Sequence, residues 1–246
     1  MLKKRLIPVL QIYEKKLVKT VKYKKINYIG DPVNTIRIFN SLEVDEMIIL
    51  DIEASKKKVP PNFSLLKHIA EESFVPLSFG GNIRTISEAE EILKIGFEKI
   101  ILNSVIMDNT EKLKEFVSKF GKQAIVVSID IKNDFFGNKK LYSNSGFRKT
   151  NFDLDSFIEI IKQKECGEIL LNDIDREGTW LGLNQNLAKS VADKINVPVI
   201  INGGAKSVTD ISNILKKTKI SGVGLGNLVV YQKKEMGVLI NYPKLI

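Results

Sequence analysis

Short apolar runs alternate with segments of helical periodicity along almost the whole chain. Eight runs rich in β-branched residues have the length and composition of strands buried on both faces. They cover residues 6–12, 46–52, 77–79, 99–102, 124–131, 168–174, 199–201 and 222–225. Amphipathic segments lie between them, at about 33–42, 63–72, 86–95, 110–120, 154–164, 185–194 and 208–216. Such alternation predicts a parallel sheet with crossover helices.

The ends of these runs recur in the second half of the chain in the same order. Gly80-Gly81 corresponds to Gly203-Gly204, Asp51 to Asp173, Gln11 to Asp130, and Asn103 to Asn227. The spacing stays close to about 120 positions, which indicates an internal duplication. Eight strand–helix units in 246 residues are typical of one closed barrel. The sequence therefore predicts a single (β/α)8 TIM barrel domain, residues 1–246, built from two similar half-barrels.

Two polar stretches interrupt the alternation, and helix starts are marked by capping residues. Residues 13–28 and 135–150 follow the first strand of each half and predict hairpins. Asp31 before Pro32 has the pattern of an N-cap followed by proline at the first helical position. Near residue 208, either Ser207 or Thr209 fits as the N-cap.

Functional groups of such barrels lie where strands end, on the loops that lead into the helices. Glycine pairs before a helix leave amides free to bind an anion. Two opposite phosphate sites are therefore expected, one after the third and fourth strands and one after the seventh and eighth, with tight turning alone as the alternative. The candidate rim residues are Gln11, Asp51, Gly80, Gly81, Asn103, Ser104, Asp130, Asp173, Asp175, Gly178, Gly203, Gly204, Gly226 and Asn227. Two sites across one mouth predict a ligand phosphorylated at both ends.

Asp130 is the best candidate for acid–base catalysis. It ends a buried strand at the rim, where partial desolvation would raise the pKa of its carboxyl group toward a useful value. A hydrogen-bonded, structural aspartate is the alternative interpretation.

Composition narrows the classes of function. The net charge of +9 fits either a polyanion partner or lysines scattered over solvated helices, and we favour the second, without nucleic acid. Lysines near residues 15–25 and 56–58 would attract a phosphorylated small-molecule ligand. One cysteine, Cys166, and one histidine, His68, exclude an internal disulfide and argue against a metal site or a catalytic triad. Because no signal peptide or membrane-spanning run is recognised, we expect a cytoplasmic protein that needs no cofactor and binds no membrane.

The chain resembles the HisF family, the cyclase subunit of imidazole glycerol phosphate synthase. The similar segments cover nearly its whole length: residues 30–32, 50–55, 79–83, 126–130, 167–171, 174–179 and 203–205. The resemblance implies a lyase that receives ammonia from a class I, HisH-like glutaminase subunit in a heterodimer. It also implies substrate binding at Asn172 and Glu177 and a catalytic role for Lys19 beside Asp130.

Four charged residues before strands match the family's gate at the ammonia entrance: Arg5, Glu46, Lys99 and Glu168. The resemblance thus implies a docking face for the glutaminase at this end, where Asp45 and Glu98 would contact the partner. The chain departs from the family at Gln11, which stands where the family has its second catalytic aspartate. An amide exchanges no proton near neutral pH, so the acid–base pair is broken.

Several segments are more similar to HisF-like paralogues of bacterial surface-polysaccharide clusters, the AglZ-like type. They comprise residues 17–23, 28–40 and 239–243. That resemblance implies delivery of glutamine-derived ammonia to a sugar amidotransferase, which converts an N-acetyl group of a surface sugar such as lipopolysaccharide or O-antigen to an acetamidino group. A cyclase of histidine biosynthesis and a non-catalytic partner that docks or activates a glutaminase are the alternatives.

Overall fold

Eight parallel strands close into a barrel in the computed structural model, which describes residues 4–244; the outermost positions of the domain assigned to residues 1–246 lie outside this range. The strands in chain order are β1 (Arg5–Tyr13), β2 (Lys16–Val21), β3 (Lys25–Gly30), β4 (Met47–Asp51), β5 (Leu77–Gly80), β6 (Lys99–Leu102), β7 (Ile125–Asn133), β8 (Lys139–Ser143), β9 (Arg148–Lys149), β10 (Glu168–Asp173), β11 (Val199–Asn202) and β12 (Gly222–Leu225). The barrel order is β1-β4-β5-β6-β7-β10-β11-β12, and β12 pairs back to β1 in parallel. The predicted (β/α)8 barrel is confirmed.

Helices alternate with these strands as the periodicity predicts. They are α1 (Pro32–Ser41), α2 (Ala54–Lys57), α3 (Phe63–Glu72), α4 (Ile86–Ile95), α5 (Ser104–Asp108), α6 (Glu111–Phe120), α7 (Leu154–Lys164), α8 (Gln185–Ala192), α9 (Val208–Lys217) and α10 (Asn227–Val230), with a 3₁₀ turn at Lys122–Ala124. The short helices α2, α5 and α10 were not predicted, because four or five residues are too few to display a helical period.

Helix starts are fixed by side-chain caps. Asp31 accepts a hydrogen bond of 2.8 Å from the amide of Asn34, and Pro32 occupies the start of α1 as predicted. Ser207, rather than Thr209, caps α9 and accepts from the amide of Asp210 at 3.1 Å. Each cap satisfies an amide that the helix itself leaves without a partner.

The barrel interior is an apolar column separate from the core between strands and helices. Alternate residues of a strand point to opposite faces, so one set from each strand fills the barrel. The interior cluster consists of Ile7, Val9, Ile48, Ile101, Val126, Leu170 and Ile200, with Leu50 packed against it. All seven members are at most 5% exposed. This column joins the two ends of the barrel, and charged or polar groups lie at each of them.

Two antiparallel hairpins rise from corresponding strands of the two halves, as predicted. β2 pairs with the end of β1, where Gln11 faces Val18, and β3 pairs with β2. β8 pairs with the end of β7, where Asp130 faces Tyr142. The hairpins therefore begin beside the two candidate catalytic positions.

The segment after α10 runs along the outside of the barrel toward the opposite end. The amide of Asn241 donates to the carbonyl of Val229 at 3.0 Å, and the Tyr242 hydroxyl donates to the carbonyl of Leu6 at 2.9 Å. Within residues 4–244, no helix has the length and apolar character needed to cross a membrane.

Candidate functional site

A small cavity of about 60 Å³ lies at the carboxyl ends of the barrel strands. Its wall includes Tyr23 from the first hairpin and rim residues of β4 to β10: Asp51, Gly80, Gly81, Asn103, Ser104, Ser128, Asp130 and Asn172. Residues from both halves of the chain thus meet at one mouth, as the strand-end pattern predicts.

Asp130 faces this cavity and is only 5% exposed. Its Oδ1 atom accepts hydrogen bonds from the Ser128 hydroxyl at 2.9 Å and from Asn172 Nδ2 at 2.8 Å. Burial raises the pKa of the Asp130 carboxyl group, and the two hydrogen bonds oppose that rise. The geometry gives this carboxyl group the environment expected of an acid–base residue.

Side-chain hydrogen bonds continue from Asp130 to the next two strands of the barrel, β10 and β11. Asn172 Nδ2 also donates to Ser128 Oγ at 2.9 Å, and Asn172 Oδ1 accepts from Asn202 Nδ2 at 2.9 Å. The side chains of β7, β10 and β11 are therefore joined in one buried polar network. Its members hold each other in fixed rotamers, because every buried donor and acceptor used here has a partner.

Gln11, at the corresponding position of β1, belongs to a different network. Its Oε1 atom accepts from the Thr20 amide at 3.0 Å and from the Thr20 hydroxyl at 2.8 Å, while Nε2 donates to Glu177 Oε1 at 2.8 Å. Glu177 also forms a buried ion pair with Lys19. Gln11 is absent from the cavity wall, so the predicted catalytic position on β1 holds the first hairpin in place.

The glycine turn after β5 and the residues after β6 form the first predicted phosphate cradle. A Cβ atom at Gly81 would lie 2.7 Å from the Cβ of Asp51, so only glycine fits there. Asp51 Oδ1 accepts from the amides of Glu53 and Ala54, each at 2.9 Å. The Ser104 hydroxyl accepts from the Asn144 amide at 3.1 Å, so the second hairpin covers this cradle.

The second predicted cradle lies after β11 and β12. Gly203 and Gly204 have φ angles of +106° and +95°, and Cβ atoms there would approach the carbonyl oxygens of Asp173 and Gly182 to 2.3 and 2.5 Å. Both constraints require glycine. Asn227 is 7% exposed, and its Oδ1 atom has no hydrogen-bond partner among the described residues. Glu177, Gly178 and Gly226 complete this small pocket.

Two predicted rim carboxylates hold loops instead of facing the cavity. Asp173 accepts from Asn184 Nδ2 at 2.8 Å, and Asp175 accepts from the Asn133 amide at 2.7 Å. Burial raises the pKa of Asp173 as well. Both carboxylates therefore help to hold the loops around the mouth.

At the opposite end of the barrel, the four predicted gate residues form one ion-pair chain. Arg5 Nη1 lies 2.7 Å from Glu46 Oε1, Arg5 Nη2 pairs with Glu168 Oε1, and Lys99 Nζ lies 2.9 Å from Glu168 Oε2. Burial alone would lower the pKa of Arg5, but Glu168 and Glu46 outweigh it, so the pKa is raised. Asp45 and Glu98 line the same cleft, and their contact with a partner stays a prediction.

The sequence reasoning missed six polar or aromatic residues of the site: Tyr23, Ser55, Asn82, Ser128, Ser145 and Asn202. Ser128 could have been found, because two-residue periodicity places it on the same face of β7 as Asp130. Tyr23 lies in the first hairpin, and no local sequence pattern predicts that this hairpin folds over the mouth of the barrel. Tyr23 is only 6% exposed, and burial together with Asp130 and Glu177 raises the pKa of its phenol well above the usual value. Among the described residues, no group of three or more His, Cys, Asp or Glu side chains could hold a metal ion.

These features define a (β/α)8 barrel protein with a candidate site at the strand carboxyl ends and a charged chain at the other end. Residues 5–235 match the family model described as "Histidine biosynthesis protein", and the chain belongs to this family. It is 40% identical over 99% of its length to a Pseudomonas aeruginosa protein provisionally named imidazole glycerol phosphate synthase subunit hisF2, of which 97% is covered.

A second relative, from Vibrio vulnificus and provisionally named imidazole glycerol phosphate synthase subunit hisF3, is 40% identical over 99% of this chain and 94% of the relative. Streptococcus mutans imidazole glycerol phosphate synthase subunit HisF is 32% identical over 94% of this chain and 92% of that protein. The chain is thus a HisF-like protein, which confirms the resemblance found in the sequence.

Proposed function

We propose that this protein is a synthase-type subunit that carries ammonia from a glutaminase to a sugar amidotransferase. The ammonia would serve the acetamidino modification of a bacterial surface sugar, in the cytoplasm. The observation that carries the proposal is the state of Gln11: all three of its hydrogen bonds are made to Thr20 and Glu177, and its amide offers no proton for ring closure.

The route for ammonia runs from the gate through the interior column to the cavity. The cleft beside Arg5, Glu46 and Lys99 is the entrance on the glutaminase side. The column beyond it is lined by aliphatic side chains, which admit neutral ammonia at small cost but exclude the strongly hydrated ammonium ion. A neutral molecule that leaves the column then reaches the polar groups of Ser128 and Asn172.

The chemistry after delivery belongs to a separate protein. Conversion of an acetamido to an acetamidino group replaces the amide oxygen by nitrogen: ammonia adds to the activated carbonyl carbon, and the oxygen leaves with the activating group. An ATP-dependent sugar amidotransferase would supply that activation. The barrel would contribute the nucleophile, kept apart from bulk water.

Imidazole ring closure in histidine biosynthesis is the second candidate. It is favoured by Asp130, whose raised pKa suits proton transfer, and by the two glycine cradles on opposite sides of the mouth. The names of the relatives also describe synthase subunits. Against it stands the missing proton-exchanging partner at Gln11.

An assay with ammonium salt and the bisphosphorylated ribulosyl formimino intermediate of the histidine pathway separates the two candidates. We expect negligible formation of imidazole glycerol phosphate. Robust turnover that disappears in Asp130→Asn would overturn the proposal and establish the cyclase.

A competition experiment tests delivery directly. The barrel is combined with a HisH-like glutaminase and a sugar amidotransferase, and amide-labelled ¹⁵N-glutamine is supplied with excess unlabelled ammonium. We expect the acetamidino product to keep the label with the wild-type barrel and to lose it with the gate variant Glu168→Ala. Glu159→Ala, which removes an exposed glutamate paired with Lys162 on the surface of α7, is the matched control. If the wild-type barrel gives a product whose label is fully diluted, the barrel does not deliver ammonia. Its role would then be limited to docking or activating the glutaminase.

A further inference from the structure

A second pocket adjoins the β11–β12 cradle on the side away from the central cavity. This outer pocket has a volume of about 480 Å³ and shares none of its lining residues with the cavity that Asp130 faces. Its walls come from the first hairpin, from the loop at 178–180 and from the segment 231–238. A ligand whose phosphate lies in the cradle could therefore extend outward as well as toward the opposite cradle.

Asn227 and Gly178 line both the cradle and the outer pocket. The Asn227 side chain, whose Oδ1 atom has no partner among the described residues, thus contributes to both spaces. A buried acceptor without a partner is costly, so a bound group that donates a hydrogen bond would be stabilised there. A sugar hydroxyl next to a phosphate is such a donor.

Aromatic side chains contribute to the lining of the outer pocket. Trp180, Tyr231 and Tyr28 all line it, and they come from three separate segments of the chain. Trp180 adopts a left-handed backbone conformation with φ of +61°, which disfavours a bulky residue. Its loop is tied to the cradle, because the amide of Gly182 donates to the carbonyl of Gly204 at 2.7 Å.

Lysines complete the chemistry of this pocket. Lys25 of the hairpin and Lys234 of the terminal segment contribute to its lining and are exposed to solvent. A phosphate cradle, a buried acceptor, aromatic side chains and cationic side chains therefore contribute to two adjoining pockets. This combination of groups suits a phosphate, a sugar and a planar base.

We propose that the outer pocket binds the nucleoside part of a nucleoside 5′-phosphate whose phosphate occupies the β11–β12 cradle. The proposal goes beyond the proposed function and rests on the anion-binding role that the sequence predicts for that cradle. The base stacks on Trp180, and a ribose hydroxyl donates to Asn227. Further phosphates or a linked sugar would lie toward Lys25 and Lys234.

The test uses the full chain and three probes: inorganic phosphate, ribose 5-phosphate and AMP. Trp180 is the only tryptophan of the chain, so its fluorescence reports directly on the outer pocket. We expect AMP to quench this fluorescence and, by calorimetry, to bind about tenfold more tightly than ribose 5-phosphate, as base–aromatic stacking allows. Inorganic phosphate should bind without quenching.

Variants assign the effect to the pocket. Trp180→Ala should reduce the AMP affinity to that of ribose 5-phosphate and leave phosphate binding unchanged. Phe136→Ala, which removes an exposed aromatic at the tip of the second hairpin, should change neither. Equal affinity for AMP and ribose 5-phosphate in the wild type would overturn this proposal while leaving the cradle intact. If none of the three probes binds, the anion-binding role of the cradle and the proposal for the outer pocket are both contradicted.

Discussion

The ends of β1 and β7 occupy the same place in the two half-barrels, yet they do different work. Both strands carry a buried polar side chain near their carboxyl ends and continue into an antiparallel hairpin. Asp130 on β7 faces the cavity, and burial raises the pKa of its carboxyl group. Gln11 on β1 is 1% exposed and forms three hydrogen bonds inside the protein.

This difference arises from the side chains that the neighbouring hairpin places beside each strand. At β1, the hairpin inserts Lys19 as a buried cation, and Glu177 neutralises it. Gln11 then connects Glu177 with Thr20 without adding a charge. At β7, the carboxyl group is held by the neutral donors Ser128 and Asn172, and it can still gain or lose a proton. One strand end has kept a group that can titrate, while the other fixes the position of a loop.

The largest effect is expected from removing the charge that stabilises Lys19. Glu177→Gln leaves a buried cation without a counter-ion and should cost about 3–5 kcal/mol of unfolding free energy. Urea denaturation measures this loss, and limited proteolysis shows whether the hairpin opens so that Lys19 reaches water. The double variant Lys19→Met/Glu177→Gln should recover much of the loss, because the unpaired charge is gone.

Asn172→Ala is the comparison at β7. Its cost should be smaller than that of Glu177→Gln, because Asp130 can take up a proton when it loses a donor, whereas Glu177→Gln leaves the buried Lys19 side chain without its counter-ion. Equal costs at the two ends would contradict the distinction between them.

The second effect is catalytic. Gln11→Asp returns a carboxyl group to β1, and we expect imidazole ring closure from ammonium salt to rise about 100-fold above the background of the parent chain, the lower range of general acid–base catalysis. Gln11→Asn shortens the side chain equally without adding a carboxyl group and should leave the rate unchanged. A rise in both variants would assign the effect to shape, and no rise in either would mean that proton exchange at β1 is not what limits the reaction.

The sequence was sufficient to predict the barrel and the position of its rim, because both depend on local patterns. Strand runs, capping residues such as Asp31 and glycine pairs such as Gly203-Gly204 can all be recognised along the chain. The replacement at Gln11 could be recognised too, since the chain resembles a family with aspartate there. The function of Gln11 could not, because Thr20 and Glu177 are its partners only after the hairpin folds back over the mouth.

The outer pocket was also beyond the reach of the sequence. Three segments far apart in the chain contribute Tyr28, Trp180 and Tyr231 to it. Each is an isolated aromatic residue in a loop or hairpin, and no spacing connects them. By contrast, the grouping of Arg5, Glu46, Lys99 and Glu168 at one end was predictable through the family resemblance alone, because charges placed before strands have many structural explanations.

The third effect depends on pH and is confined to β7. The pKa of Asp130 is raised in the folded protein above the unfolded value of about 3.9, so its contribution to stability is fully present below that value and is lost as pH rises through the folded pKa. Asp130→Asn stays neutral and can keep both hydrogen bonds through Oδ1. It should therefore raise the melting temperature at pH 7, and this gain should vanish as the pH falls below about 4. Thermal unfolding of Gln11→Asn should show no such pH-dependent difference.

The smallest effects are expected on stability when a single hydroxyl group is removed at each strand end. Thr20→Val removes the 2.8 Å bond to Gln11 and should cost about 1 kcal/mol at every pH, since no titrating group is touched. Ser128→Ala removes a bond that opposes the raised pKa of Asp130, so that pKa should rise further and the loss of stability should grow as the carboxyl group ionises. Urea titrations of both variants across pH 4 to 8 measure the two profiles. If the stability losses of the two variants depend on pH in the same way, Asp130 exchanges no more protons than Gln11 does. If only the loss of Ser128→Ala changes with pH, β7 alone retains a group that can exchange a proton.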